Sequence, residues 1–235
     1  TLRAVIDEDG PLPAARAVKI ARQLAAVLGA AHAAGIVHRD VKPRNVMLLD
    51  GTDDVLKLID FGLAKVTADK LATGATDDRA RRAAGPLTGE GVLLGTIAYL
   101  APEAAVGMGA VDESSDLYAL GVILYEMLAG RRPFGGGTPG AVFRKQRFDP
   151  PPPMRERGNG VEVPPELEAI AARLLEKDKR KRFATGEEVV AALDAFLQGG
   201  STPEPGSAAG PTVSAAATPH AGAGAPPRSA AEAPT

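Results

Sequence analysis

The chain has 235 residues, of which 45% are hydrophobic, and its formal net charge is −2. This length accommodates one good-sized domain and a tail, and the apolar content suffices for a packed core. The charge gives no argument for a nucleic-acid partner, and we expect none. The absence of cysteine excludes disulfides, thiol catalysis and cysteine-based zinc sites. We expect no membrane span, because no apolar run reaches the length that crosses a bilayer.

Two helices and a hairpin are predicted in the first part of the chain. Residues 2–9 predict a short helix, and residues 13–34 predict a longer one whose apolar side chains recur at helical spacing. The apolar pair 36–37 predicts a short strand. Residues 46–49 and 55–59 predict two strands that lie alongside each other across a turn.

Four further helices, one long loop and a tail are predicted in the rest of the chain. Residues 66–92 have no clear period and predict a long loop. Residues 198–235 are rich in Ala, Pro, Gly, Ser and Thr and predict a disordered tail. Thr185 and Glu188 have the spacing of a capping box. The helical patterns lie at 116–129, 138–148, 165–175 and 185–197.

The polar loop after the first predicted strand carries three groups suited to phosphoryl transfer. The carboxylate of Asp40 can accept the proton of an attacking hydroxyl. The ammonium of Lys42 can neutralise a transferring phosphoryl group, and the amide oxygen of Asn45 can hold Mg²⁺. Each residue alone is as well explained as an ordinary loop residue. Their combination within six positions favours a catalytic role.

Three motifs in this order and spacing resemble those of protein kinases. The stretch His38-Arg-Asp-Val-Lys-Pro-Arg-Asn45 resembles the catalytic loop H-R-D-x-K-x-x-N in its Ser/Thr form. An Asp-Phe-Gly motif follows a predicted strand at 60–62, and residues 95–103 resemble the end of an activation segment. Residues 1–197 are therefore similar to the C-terminal lobe of eukaryotic-type Ser/Thr protein kinases, particularly the bacterial PknB-like branch.

The resemblance implies ATP and Mg²⁺ as cofactors and assigns the residues that would hold them. Asp40 would be the catalytic base, and Lys42 would contact the γ-phosphate. Asn45 and Asp60 would ligate Mg²⁺, and Met47 would lie under the adenine, although a plain core position also explains Met47.

The resemblance also implies positioning roles around the catalytic loop. Thr96 would bridge Asp40 and Lys42. His38 and Phe61 would stack in a structural spine, with Phe61 packed into the core, and Gly62 would give the backbone freedom to move.

Three charged residues that come later in the chain have structural roles in the resemblance. Asp116 would accept backbone N–H groups of the catalytic loop, with a helix N-cap as the alternative. Glu103 would pair with Arg182, with Arg180 as the alternative partner. His32 and His220 are assigned no partner.

A regulatory role is implied for three further residues. Arg39 would bind the phosphate of the activation segment or an acidic substitute. Thr88 falls where one phosphothreonine is expected, and Glu90 falls where a second threonine is often found. We hypothesise that Glu90 partly substitutes for that second phosphate.

The sequence departs from the family pattern in two ways. No Gly-rich loop and no V-A-I-K-type lysine precede the catalytic loop, so the 235 residues are expected to be a piece of a longer kinase and nearly inactive alone. Arg44 stands where the family usually has Glu. The predicted fold class is α+β, a mainly helical C-terminal lobe with short β-hairpins near the catalytic loop and without the N-terminal lobe sheet.

Two other readings of the sequence stay open beside the kinase. One is a pseudokinase-like interaction scaffold. The other is a small-molecule phosphotransferase of kinase-like fold, which the presence of Lys42 and of the Ala-Pro-Glu segment disfavours. For a kinase we expect protein substrates with Ser or Thr acceptors and a second kinase copy as a homodimer partner. The kinase domain would be cytoplasmic. The tail resembles the linker that leads to a membrane anchor in some bacterial relatives.

Overall fold

The computed structural model describes residues 1–49, 54–61, 96–158 and 160–199. Within them the fold is mainly helical, with a single two-stranded antiparallel sheet. The helices are α1 (Leu2–Asp9), α2 (Ala14–Ala33), α3 (Glu113–Ala129), α4 (Pro139–Phe148), α5 (Met154–Arg157), α6 (Pro165–Leu174) and α7 (Gly186–Leu197). The strands are β1 (Val46–Leu48) and β2 (Leu56–Leu58). This architecture confirms the predicted fold class.

Helix α3 is the centre of the core. Every residue of this helix from Ser115 onward is buried, and it packs against α2 on one side and α6 on another. A helix that is apolar all round is stable only inside a protein, and this explains its sequence. At Gly121 an added Cβ would lie 2.6 Å from the Cβ of Leu174, so glycine allows the close approach of α3 and α6.

The hairpin of β1 and β2 fixes the end of the catalytic loop. Val46 pairs with Leu58 and Leu48 pairs with Leu56 in antiparallel register. One residue further along, the N–H of Ile59 donates to the carbonyl of Asn45 at 2.9 Å. The hairpin therefore brings Asp60, the residue after Ile59, close to Asn45, the last residue of the loop.

Several predicted elements differ from the observed ones. Residues 36–37 are not a strand, because no strand among the described residues pairs with them and the N–H of Ile36 instead donates to the carbonyl of Ala31 near the end of α2. Helix α3 begins three residues before Asp116, where Asp112 and Ser115 form a capping box. The short helix α5 was not predicted, since the prolines before it obscured its pattern.

The predicted capping box of α7 is only half formed. The Thr185 hydroxyl accepts from the Glu188 N–H, but the Glu188 carboxylate accepts from the N–H of Ala184 instead of Thr185. The helix thus begins as predicted while its reciprocal contact is shifted by one residue. None of the helices in the described part of the chain is long and apolar enough to cross a membrane.

Candidate active site

The start of the catalytic loop is anchored to helix α3 by one carboxylate. Asp116 accepts from the backbone N–H of His38 and from that of Arg39, both at 2.8 Å. Arg39 has a φ of 65°, a left-handed conformation that costs energy for a residue with a side chain. The two hydrogen bonds hold the loop in this conformation. Asp116 is not the N-cap of α3, because Asp112 occupies that position.

Two side chains donate hydrogen bonds to the carboxylate of Asp40, and a third contacts one of them. The ammonium of Lys42 donates to Oδ2 at 2.7 Å, and the Nδ2 of Asn45 donates to the Asp40 carbonyl at 2.8 Å and to Oδ2 at 3.2 Å. The same ammonium lies 3.2 Å from the Thr96 hydroxyl. Thr96 thus reaches Asp40 through Lys42, and no direct hydrogen bond joins Thr96 to Asp40 among the described residues.

The imidazole of His38 ties the loop to the end of the hairpin. Its Nδ1 accepts from the Asp40 N–H at 3.2 Å, so Nε2 carries the proton that it donates to the Ile59 carbonyl at 2.9 Å. His38 is fully buried and its ring lies 4.6 Å from that of Phe61. The prediction that Phe61 packs into the core is wrong, because Phe61 is 41% exposed in the structure.

The residues expected to hold Mg²⁺ lie at the two ends of the hairpin, Asn45 just before β1 and Asp60 two residues after β2. Both hydrogen bonds of the Asn45 amide to described residues use Nδ2, so no described residue occupies its Oδ1, which can serve as a metal ligand. Asp60 is exposed and follows Ile59 directly, with a φ of 62°. Mg²⁺ prefers such oxygen donors and takes few of them from the protein. In the described part of the chain, no group of three or more acidic or histidine side chains forms a preassembled metal cluster.

Met47, which the resemblance places under the adenine, lies on β1 opposite Lys57 and is half-buried. Arg39 is half-buried, and its Nε has no hydrogen-bond partner among the described residues. Gly62, Thr88 and Glu90 lie outside the described residues, so their predicted roles stay predictions.

A buried ion pair joins the end of the activation segment to the following helices. Arg182 donates to both carboxylate oxygens of Glu103, at 2.8 and 2.9 Å, and its side chain is fully buried. Burial by itself raises the pKa of Glu103, but hydrogen bonds from Arg182 and Ser115 lower that pKa overall. Arg180 instead pairs with Asp178 at the surface, which excludes it as the partner of Glu103.

The partners of two buried acids were not apparent from the sequence. His32, to which no partner was assigned, places Nε2 2.9 Å from the Asp116 carboxylate and thereby supports the same anchor. Glu126 is buried in α3, where it pairs with Arg3 at 2.8 Å and accepts from the hydroxyl of Tyr99. Burial and the neighbouring Glu126 carboxylate raise the pKa of that hydroxyl. A lone glutamate in an apolar helix signals a partner but does not identify it.

Comparison with protein families identifies the class. The protein kinase domain matches residues 1–192, and the chain therefore belongs to the protein kinase family.

Its relatives place it in the bacterial Ser/Thr branch, as the motifs predicted. The chain is 39% identical to the Ser/Thr-protein kinase PknB of Mycolicibacterium smegmatis, across 82% of this chain and 28% of that protein. It is 36% identical to the kinase pkn3 of Myxococcus xanthus, across 83% and 34%. It is 37% identical to PknL of Mycobacterium tuberculosis, across 87% and 46%. The matches thus span between 28% and 46% of the lengths of these relatives.

Solved structures show the same fold at low sequence identity. The kinase Rad53 with AMP-PNP superposes with a TM-score of 0.56 at 21% identity, covering 80% of this chain and 42% of that chain. A second structure, of the Rad53 kinase domain and SCD2 with AMPPNP, gives a TM-score of 0.56 at 22% identity, covering 81% and 63%.

Proposed function

We propose that this chain carries the catalytic residues of a Ser/Thr protein kinase that transfers the γ-phosphoryl group of ATP to protein hydroxyls. The observation that carries the proposal is the cluster of Asp40, Lys42, Asn45 and Thr96, in which Lys42 and Asn45 donate to Asp40 and Lys42 also donates to Thr96, at 2.7 to 3.2 Å. The family and the bacterial relatives support the same reaction.

Each residue has a defined task in this proposal. Asp40 is partly exposed, so its carboxylate can orient a substrate hydroxyl and accept its proton. Lys42 is held between Asp40 and Thr96, where its ammonium would meet the oxygens of the transferred group. Asn45 and Asp60 would hold Mg²⁺, which neutralises charge on the phosphates when bound. The chain's own residues supply positioning, the base and one cation.

The chain alone is proposed to be inactive or nearly so. The 235 residues hold the base and the metal ligands, whereas in the family a Gly-rich loop and a lysine of the N-terminal lobe hold the nucleotide phosphates. Without such groups, ATP has no defined position against Asp40, and positioning accounts for much of the rate of phosphoryl transfer.

A phosphorylation assay tests both parts of the proposal. The full-length protein that contains these residues is given ATP, Mg²⁺ and matched peptides with a Ser, Thr or Tyr acceptor. We expect label on Ser and Thr only. If the full-length protein phosphorylated none of the peptides, or only the Tyr peptide, the assignment as a Ser/Thr kinase would be contradicted. Normal turnover by the 235-residue chain alone would contradict its inactivity.

A further inference from the structure

A cavity of about 520 Å³ opens beside the catalytic cluster, and its walls are unusually basic. Lys42 and Thr96 form one edge, so the cavity is continuous with the groups around Asp40. Its volume lies in the range of ordinary ligand sites, about 300 to 1,000 Å³. Five arginines line the rest of the cavity: Arg3, Arg44, Arg131, Arg132 and Arg157.

The acidic groups of the cavity do not cancel this charge. Only Asp7 and Glu126 contribute carboxylates to its lining, and both pair with Arg3, at 2.6 and 2.8 Å. Glu126 also accepts from the Tyr99 hydroxyl. Both carboxylates are therefore already engaged and are poor partners for a basic ligand.

Several of the arginines keep donors for a ligand. Across the described ranges, no carboxylate lies within ion-pair distance of Arg44, Arg131 or Arg157. Arg44 and Arg131 are exposed at the rim. Arg157 uses Nε to donate to the carbonyl of Arg132 at 2.9 Å, which orients the guanidinium without neutralising it. Guanidinium groups fixed in this way suit carboxylate and phosphate oxygens.

Arg44 shows how close this charge lies to the reaction. It stands two residues after Lys42 and immediately before Asn45, in the short 3₁₀ turn Pro43–Asn45. The family usually has Glu at this position, so the sequence reverses the charge of the rim next to the catalytic residues. An anchor on this rim is within reach of a peptide that presents a hydroxyl to Asp40, because an extended chain advances about 3.3 Å per residue.

We propose that this cavity binds an anionic side chain of the substrate, a carboxylate or a phosphate, within a few residues of the accepting hydroxyl. The protein would thereby select acidic or already phosphorylated stretches of its protein substrates. This inference rests on the proposed kinase function and narrows it. Basic peptides would be rejected, because they would place like charges against the rim.

The test uses the full-length protein and four peptides that share one Thr acceptor. The residues around Thr are Glu, Gln, Lys or phosphoserine, with length and all other positions unchanged. We expect kcat/KM for the Glu peptide to exceed that for the Gln peptide by about tenfold or more, and the Lys peptide to be poorest. A further gain for phosphoserine over Glu would identify phosphorylated stretches as the preferred source, whereas equal or higher rates for Glu would identify acidic ones.

Charge-reversal variants separate this cavity from general electrostatic attraction. Arg44→Glu and Arg131→Glu should abolish or invert the preference for Glu over Gln. Arg144→Glu changes the net charge by the same amount at an exposed position of α4 outside the cavity. This control variant should keep the preference for Glu over Gln. Fluorescence anisotropy of labelled peptides on the 235-residue chain should give the same ranking without any turnover.

The outcomes distinguish the two proposals. If no peptide is phosphorylated, the kinase function fails. If the Glu, Gln and Lys peptides are phosphorylated equally, or if Arg144→Glu shifts the preference as much as Arg44→Glu does, the kinase function stands and the anionic subsite is wrong.

Discussion

Lys42 and Asp40 form an ion pair within one loop, with Nζ 2.7 Å from Oδ2, and neither group is more than about a fifth exposed. The pair restrains two side chains that would otherwise sample many rotamers. Since the ammonium also lies 3.2 Å from the Thr96 hydroxyl, a residue 54 positions away completes the arrangement. Two contacts thus position the loop. Thr96 holds the side chain of Lys42, and Asp116 holds the backbone at the start of the loop.

Replacing Thr96 tests the first of these contacts. Thr96→Ala removes the acceptor that holds Lys42, and we expect kcat to fall by about tenfold or more, because hydrogen bonds to charged groups are among the stronger ones. Thr96→Ser keeps the hydroxyl and should restore most of kcat. Steady-state kinetics of the full-length protein measure both. Equal loss in the Ser and Ala variants would mean that the methyl group, not the hydroxyl, matters.

Replacing Asp116 tests the second contact. Asp116→Ala leaves the N–H groups of His38 and Arg39 without an acceptor, and we expect a loss of about 3 kcal/mol in unfolding free energy. Amide hydrogen exchange should also accelerate at those two residues. Asp112→Ala is the matched control in the same helix and should cost about 1 kcal/mol as a lost N-cap, with loop protection unchanged. Unchanged exchange at His38 and Arg39 in Asp116→Ala would contradict this role.

The buried pair of Glu103 and Arg182 predicts a large stability effect. Arg182→Ala strands a mostly buried carboxylate, so the unfolding free energy should fall by about 3 to 5 kcal/mol. Arg180→Ala breaks an exposed pair two residues away and should cost less than about 1 kcal/mol. Urea denaturation of the three proteins measures the difference. Similar losses for both variants would rule out a special contribution from the buried pair.

The lowered pKa of Glu103 predicts a pH dependence of stability. Its pKa in the folded protein lies below the ordinary value of 4.5, so its contribution is complete above pH 4.5 and declines as pH falls toward the folded pKa. Urea denaturation in steps from pH 7 to pH 3 should therefore show a shallower acid loss for Glu103→Gln than for the wild type. Parallel pH profiles would refute the assignment.

The grouping of the proposed catalytic residues was predictable from sequence because they lie at short, fixed spacings along the chain. Asp40, Lys42 and Asn45 lie in one loop, and the hairpin that follows brings Asp60 back toward Asn45. Local patterns also gave the helices to within a few residues. The start of α3 was misjudged because the residues of its first turn are polar, and the cap that identifies it is Asp112.

Contacts between distant residues were not predictable in the same way. Glu126 and Arg3 are 123 positions apart, and nothing in either local pattern relates them. His32 lies on the last turn of α2 and meets Asp116 only because α2 packs against α3. The basic cavity likewise depends on arginines from separate segments, of which only Arg44 stood out in the sequence.

The most direct test of the central claim is phosphoryl transfer by the Asp40→Asn variant of the full-length protein. The amide keeps the shape of the side chain but cannot accept the substrate proton. We predict that kcat falls by about a hundredfold to ten-thousandfold, while the melting temperature and ATP affinity stay close to wild type. Turnover within about twofold of wild type would contradict the assignment of Asp40 as the catalytic base.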